Sequence, residues 1–308
     1  MSIDPGRFIT RFASPRGVRL AYVREGEGGV PLVLVHGWPE TKRVYWKVIA
    51  PLADAGFDVI VPDLRGFGES DIGDDPRRDP PMFARDIHSL VHEELGLERV
   101  VLAGGDLGGP VVQDISLRFP EFVDRMVLFN SPLPYNAETM TGMRTRGFRA
   151  SMDYYQRQGN DADALAAELR TPAERRRYIA TFYTSRYWAH GDNFSSEEVD
   201  FHTEPFADGD KLRASFSPYE AVYDADKRSE APMVASVKIN PTFTMILFGP
   251  SDHVLFPDFD RMAAVVFPDH AGPFLLRDCG HFVPWEAPHA FVTAVRAHCG
   301  DLIARHSG

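Results

Sequence analysis

Short, unbroken apolar runs recur through the first 130 residues: "VPLVLVHG" (30–37), "FDVIVPDLRG" (57–66), "RVVLAGG" (99–105) and "VDRMVLFN" (123–130). Runs of this length without polar alternation predict strands buried on both faces. "GVRLAYVRE" (17–25) predicts a further strand. Between the runs the apolar period lengthens to that of a helix. "RVYWKVIAPLADAG" (43–56) stops at Gly56. "PPMFARDIHSLVHEELG" (80–96) opens on Pro80 and Pro81 and stops at Gly96, and "PVVQDISLRF" (110–119) is a third helical stretch. Proline inside a helix start and glycine past its end match the hydrogen-bonding needs of the two termini. Strand and helix in alternation predict an α/β fold, with a mostly parallel central sheet and helices on both faces.

The pattern changes after Ser131. From 132 to 240 no buried-strand run appears. The segment carries helical stretches rich in Arg, Ala, Glu and Tyr, at 161–170, 172–189 and 209–216. Sheet-type runs then resume at 242–249 and 272–278, with helices predicted over 258–267 and 287–306. The expected organisation is therefore a core of residues 1–131 and 241–308, interrupted by a helical cap over 132–240.

Composition narrows the function. The 308 residues carry a formal net charge of -11, which disfavours nucleic acid as a partner, because phosphate binding needs a basic face. No apolar run approaches the roughly 18 residues of a membrane span. The opening "MSIDPGRFITRF" has no apolar signal-peptide core. Cys279 and Cys299 are the only cysteines, and two make no disulfide framework. These features lead to the expectation of a cytoplasmic protein with no membrane association. A homodimer is compatible with the sequence.

The candidate chemistry centres on "VVLAGGDLGGPVV" (100–112). A strand meets a helix through a turn whose tip is Asp106, flanked by small residues. So sharp a turn lifts its central side chain above the sheet and needs small neighbours. An aspartate closing a strand–helix loop is also a common helix cap, so its partners decide. "LVHGWPE" places His36-Gly37-Trp38-Pro39 after a buried strand, where a backbone amide can face a reacting oxygen. "ILFGPSDHVLFP" places Asp252, and "RDCGHFVPWEAP" places His281, each just beyond a predicted strand. His88 and His92 have helical i,i+4 spacing, but no third metal ligand accompanies them.

Nucleophile, acid and histidine in that order, each after a strand, resemble the α/β-hydrolase superfamily. Within it the chain resembles the epoxide hydrolases. The likeness rests on His36-Gly37-Trp38-Pro39, Gly105-Asp106-Leu107-Gly108-Gly109, "PDLRGFGES" (62–70), Asp252 and Gly280-His281. Gly105 departs from it, since relatives usually carry histidine there. Asn130 occupies a position where some relatives place the acid.

A carboxylate nucleophile suits displacement at saturated carbon rather than acyl transfer. The resemblance implies a covalent alkyl ester of Asp106. His281, oriented by Asp252, would activate the water that hydrolyses it, with the Trp38 and Leu107 amides holding the oxyanion. No cofactor is called for. The expected substrate is a small apolar epoxide, with water as the second reactant.

The runner-up is a haloalkane dehalogenase. Leu107 stands where those enzymes carry tryptophan, and Trp38 replaces an asparagine common in theirs. A non-catalytic ligand receptor of the same fold is a further alternative, normally marked by a broken triad.

Epoxide hydrolases open the ring with two cap tyrosines. The segment offers Tyr154, Tyr155, Tyr178, Tyr183, Tyr187, Tyr219 and Tyr223. By position "SMDYYQRQG" and "SFSPYEAVY" match the two family segments, giving Tyr154 and Tyr219, with Tyr155 a close rival of Tyr154. Trp38, Tyr155, Phe182, Trp188, Phe256 and Phe282 are expected to line the substrate space, although rings of this kind also serve as core.

Overall fold

The computed structural model describes residues 3–134, 138–144, 153–230 and 239–306. Eight strands form one sheet: β1 (Arg11–Ala13), β2 (Leu20–Glu25), β3 (Val30–Val35), β4 (Phe57–Pro62), β5 (Val100–Gly105), β6 (Val123–Phe129), β7 (Thr244–Phe248) and β8 (His270–Leu275). Their order is β1-β2-β4-β3-β5-β6-β7-β8. β2 runs antiparallel to β1 and β4, and the pairs from β4 through β8 are parallel. Every residue of β4 and β5 is buried, as their unbroken apolar runs predict. The helix Pro80–His88 packs on Gly108–Arg118, and Ile49–Ala53 packs on Pro288–His306. The chain leaves β3 toward β4 on one side and returns to β5 on the other. Ligand sites in open α/β sheets lie at such a switch point, beyond the carboxyl ends of the strands.

Among the described residues between β6 and β7 there is no strand. Six α-helices lie there among the described residues: Asp153–Asn160, Ala162–Glu168, Pro172–Tyr183, Ser196–Thr203, Gly209–Ala214 and Ser217–Tyr223. They are tied to the sheet's carboxyl end. Tyr183 donates to Pro39 O at 2.5 Å, and the Trp38 indole N–H donates to Ser215 Oγ at 3.1 Å. Among the described residues no helix is long and apolar enough to cross a membrane.

Several elements differ from expectation. The helix expected over 172–189 ends at Tyr183. Beyond it the backbone turns so that Tyr187 O and Trp188 O accept from the amides of His253 and His281, at 2.9 and 2.8 Å. The helix expected over 80–96 is α-helical to His88 and then widens into a π-helix, Ser89–Glu94. β1, only three residues long, leaves no periodic signal. The helix Ser196–Thr203 lacks a strong apolar stripe, but Ser195 and Glu198 form a reciprocal capping box that starts it.

Candidate active site

β5 ends at Gly105, and the helix Gly108–Arg118 begins three residues later. Asp106, between them, has φ of +44°, a left-handed backbone that is costly for a residue with a Cβ. It is held there by its amide, which donates to Asn130 O at 2.8 Å, and by its carbonyl, which accepts from Gly109 at 3.1 Å. Packing fixes the neighbours. A Cβ on Gly108 would lie 2.1 Å from Val35 O. A Cβ on Gly105 would lie 2.3 Å from the Phe129 ring, so Phe129 occupies the room that a larger side chain at 105 would need.

The three expected triad residues meet. His281 Nδ1 lies 2.8 Å from Asp252 Oδ2, and His281 Nε2 lies 3.2 Å from Asp106 Oδ2. The first contact is a directed hydrogen bond. The second is close enough for an ion pair but poorly aligned, so Nε2 has no hydrogen-bond partner among the described residues. The Trp38 amide donates to Asp106 Oδ1 at 2.7 Å. Asp252 Oδ1 accepts from the Val254 amide at 2.7 Å, which fixes the acid's rotamer.

Electrostatics follow from these contacts. Burial pushes the Asp106 carboxyl up, but His281 and the amides of Trp38 and Leu107 outweigh it and hold the group below the usual range. Burial pulls His281 down, while Asp252 and Asp106 together raise it well above an ordinary histidine. The resting site is thus an imidazolium between two carboxylates.

Sequence reasoning missed two supports. Asn130, buried with φ of +34°, joins the acid loop to the histidine loop. Its Oδ1 accepts from Gly249 at 2.9 Å, and its Nδ2 donates to Gly280 O at 2.8 Å. Glu40 lies beneath the Trp38 loop, its Oε2 accepting from the Gly37 amide at 2.5 Å. Burial, and then the Asp106 charge, push its carboxyl up to about 7. The "HGWPE" run contained Glu40, but nothing local marked it as buried. His36 is structural: its Nε2 accepts from Leu64 at 3.0 Å and its Nδ1 lies 2.8 Å from Gly37 O.

Aromatic rings close the space above Asp106. Trp38 meets Phe182, Tyr219, Tyr154 and Trp188 at centroid distances of 4.8, 5.4, 6.1 and 6.3 Å. Trp188 stands edge-to-face on His281 at 4.7 Å. The Asp106 charge helps raise the Tyr219 phenol, after burial. Tyr155 lies one step out, against Tyr219 at 4.9 Å and Tyr223 at 6.3 Å. Phe282 is wholly buried between Tyr183 and Phe194, behind His281, and Phe256 is half-buried against the main core. The His88 ring is stacked on Phe119 at 3.7 Å.

A model of the α/β-hydrolase fold matches residues 30–288. The chain belongs to the α/β-hydrolase fold family. It is 29% identical to epoxide hydrolase A of Mycobacterium tuberculosis, over 92% of this chain and 95% of that protein. It is 27% identical to a cis-3-alkyl-4-alkyloxetan-2-one decarboxylase of Shewanella oneidensis, over 94% and 87%. A haloalkane dehalogenase of Mycolicibacterium paratuberculosis is 38% identical over only 39% of this chain and 40% of its own. Among solved structures, the epoxide hydrolase CorEH superposes with a TM-score of 0.82 at 24% identity, covering 96% of this chain and all of its own. These relatives bear out both the α/β-hydrolase fold and the likeness to epoxide hydrolases expected from the sequence.

Proposed function

We propose that this hydrolase opens epoxides to vicinal diols through an alkyl ester of Asp106. The observation that carries the reading is the half-buried carboxylate at the strand–helix turn, 3.2 Å from His281 and held by the Trp38 amide, with Tyr154 and Tyr219 packed on the Trp38 ring. Asp106 attacks a ring carbon, and the C–O bond breaks. Tyr154 and Tyr219 hold the ring oxygen and supply its proton. Neutral His281 then takes a proton from water, whose oxygen attacks the Asp106 carbonyl carbon. The amides of Trp38 and Leu107 hold the oxyanion until the diol leaves. Such donors are typically worth roughly 3–4 kcal/mol of barrier each.

Tyr154 is favoured over Tyr155 because its ring touches Trp38 and Trp188, which border Asp106 and His281. The Tyr219 ring packs on Trp38 at 5.4 Å and its phenol feels the Asp106 charge, whereas Tyr183 is committed to Pro39. Against the dehalogenase reading, the Trp38 indole N–H is already given to Ser215, and Leu107 supplies no side-chain donor for a halide.

The test is one turnover with excess enzyme in oxygen-18 water. The diol's new oxygen should come from Asp106, and the label should enter the enzyme. Labelled diol in that first turnover would refute the covalent step. Parallel assays with a haloalkane and a dialkyl oxetan-2-one should show the epoxide preferred, and preference for either of the others would reassign the substrate.

A further inference from the structure

We propose a second, non-catalytic site for a free medium-chain carboxylate, in the groove where the inserted helices meet the core. The groove holds about 540 Å³, within the range of small-ligand sites. Its floor is apolar: Trp46, Trp285, Pro51 and Val292. Lys47 bridges its two sides. The ammonium sits 4.1 Å from the Trp285 ring centre and 2.7 Å from Glu198 on the inserted helix Ser196–Thr203.

The charges on its rim select the occupant. Glu198 is neutralised by Lys47. Arg7 and Arg296 are exposed and line the groove, and neither guanidinium makes an ion pair or hydrogen bond with any described residue. Arg7 only lies over its neighbour Phe8, at 5.2 Å. Asp4 is the remaining rim acid, its carboxylate accepting from the Gly6 amide at 2.9 Å. Two unpaired cations beside an apolar floor stand out on a chain of net charge -11. The complementary ligand has an apolar body and one anionic head.

The wall behind the floor is also unfinished. The Trp285 indole N–H and both ring nitrogens of His202 are buried without partners among the described residues. The two rings meet edge-to-face at 4.2 Å, across the junction of core and insertion. A ligand in the groove touches both sides of that junction. The catalytic space is a poor competitor for the same ligand, because the half-buried Asp106 carboxylate already stands there.

Calorimetric titration of the full chain with decanoate, below its micelle concentration, tests the site. Decan-1-ol and decyltrimethylammonium serve as comparators. One decanoate should bind, at least tenfold more tightly than either comparator. Arg7→Glu with Arg296→Glu should weaken it at least tenfold while leaving kcat/KM for an epoxide within twofold. Val292→Trp, which fills the floor, should abolish binding in a protein with parental circular dichroism. Absence of binding, equal affinity for the alcohol, or unchanged affinity in both variants would overturn the proposal.

Discussion

Asn130→Ala offers a sharp test of how the site is held together. Asn130 makes two short bonds to different loops, to the Gly249 amide and to the Gly280 carbonyl. Alanine leaves both backbone groups buried and unpaired, at about 1–3 kcal/mol each. It must also adopt φ of +34° without asparagine's tolerance of that region, adding roughly 1–2 kcal/mol. The expected loss is about 3–8 kcal/mol, large for a single substitution. Urea unfolding at pH 7, followed by circular dichroism and tryptophan fluorescence, measures it. Asn130→Asp keeps an acceptor for Gly249 but loses the donor to Gly280, so it should also destabilise. In both variants ester hydrolysis should slow more than ester formation, because the loosened loops carry Asp252 and His281. A loss below about 1 kcal/mol would show that the bonds hold nothing, and the argument would fail.

His281→Gln should form the ester without hydrolysing it, so intact-protein mass should rise by the full mass of the epoxide. An unchanged mass would mean that His281 acts before alkylation. Tyr154→Phe combined with Tyr219→Phe should slow alkylation by roughly 10²–10⁴-fold, the usual worth of a positioned acid. A parental burst rate in stopped flow would remove the phenols from the mechanism. Buried His202 and His298 should make the fold acid-sensitive. Burial pulls both down, His298 to about 4. Their unfolded counterparts take up protons near 6.5, so this stability is full above that pH and is lost as pH falls toward 4. His202→Phe should flatten the slope of urea midpoint against pH in that window, and an identical slope would discount His202. Glu40, pushed up to about 7, works in the opposite sense by favouring the fold at lower pH.

The sheet was legible because parallel strands buried on both faces leave unbroken apolar runs. Asp106 and Asp252 stood out because each follows such a run, whereas the strand before His281, His270–Leu275, has no fully buried residue and leaves no run of that kind. The runs "VVLAGG" and "TMILF" point at Asp106 and Asp252 without help from the rest of the chain. The candidate tyrosines Tyr154 and Tyr219 were picked out only through family resemblance. Their helices bury rings against Trp38 from far along the chain, and no local period records that contact. The end of the helix at Tyr183 was hidden for the same reason. Its cause is the pairing of Trp188 O with His281, 93 residues later. Asn130 carries its role in two bonds to loops beyond residue 248, so a reader of its own strand sees only an asparagine after an apolar run.

The resting charges also order the proposed steps. An imidazolium flanked by two carboxylates cannot accept a proton, so His281 is no base in the free enzyme. Its raised pKa rests on Asp252 first and on Asp106 as well. Alkylation turns Asp106 into a neutral ester and removes the partner 3.2 Å from Nε2. Asp252 alone then supports the proton, in a buried site that disfavours charge. The opened alkoxide takes a proton from a phenol, and the proton leaving His281 restores that phenol. The proton count closes, and His281 becomes a base only once there is an ester to hydrolyse. Asp106→Asn imitates the uncharged ester without the chemistry. Its His281 should therefore titrate at lower pH than in the parent, read from the imidazole nitrogen shifts by NMR. If both proteins titrated alike, Asp106 would not govern the base, and another trigger for hydrolysis would have to be found.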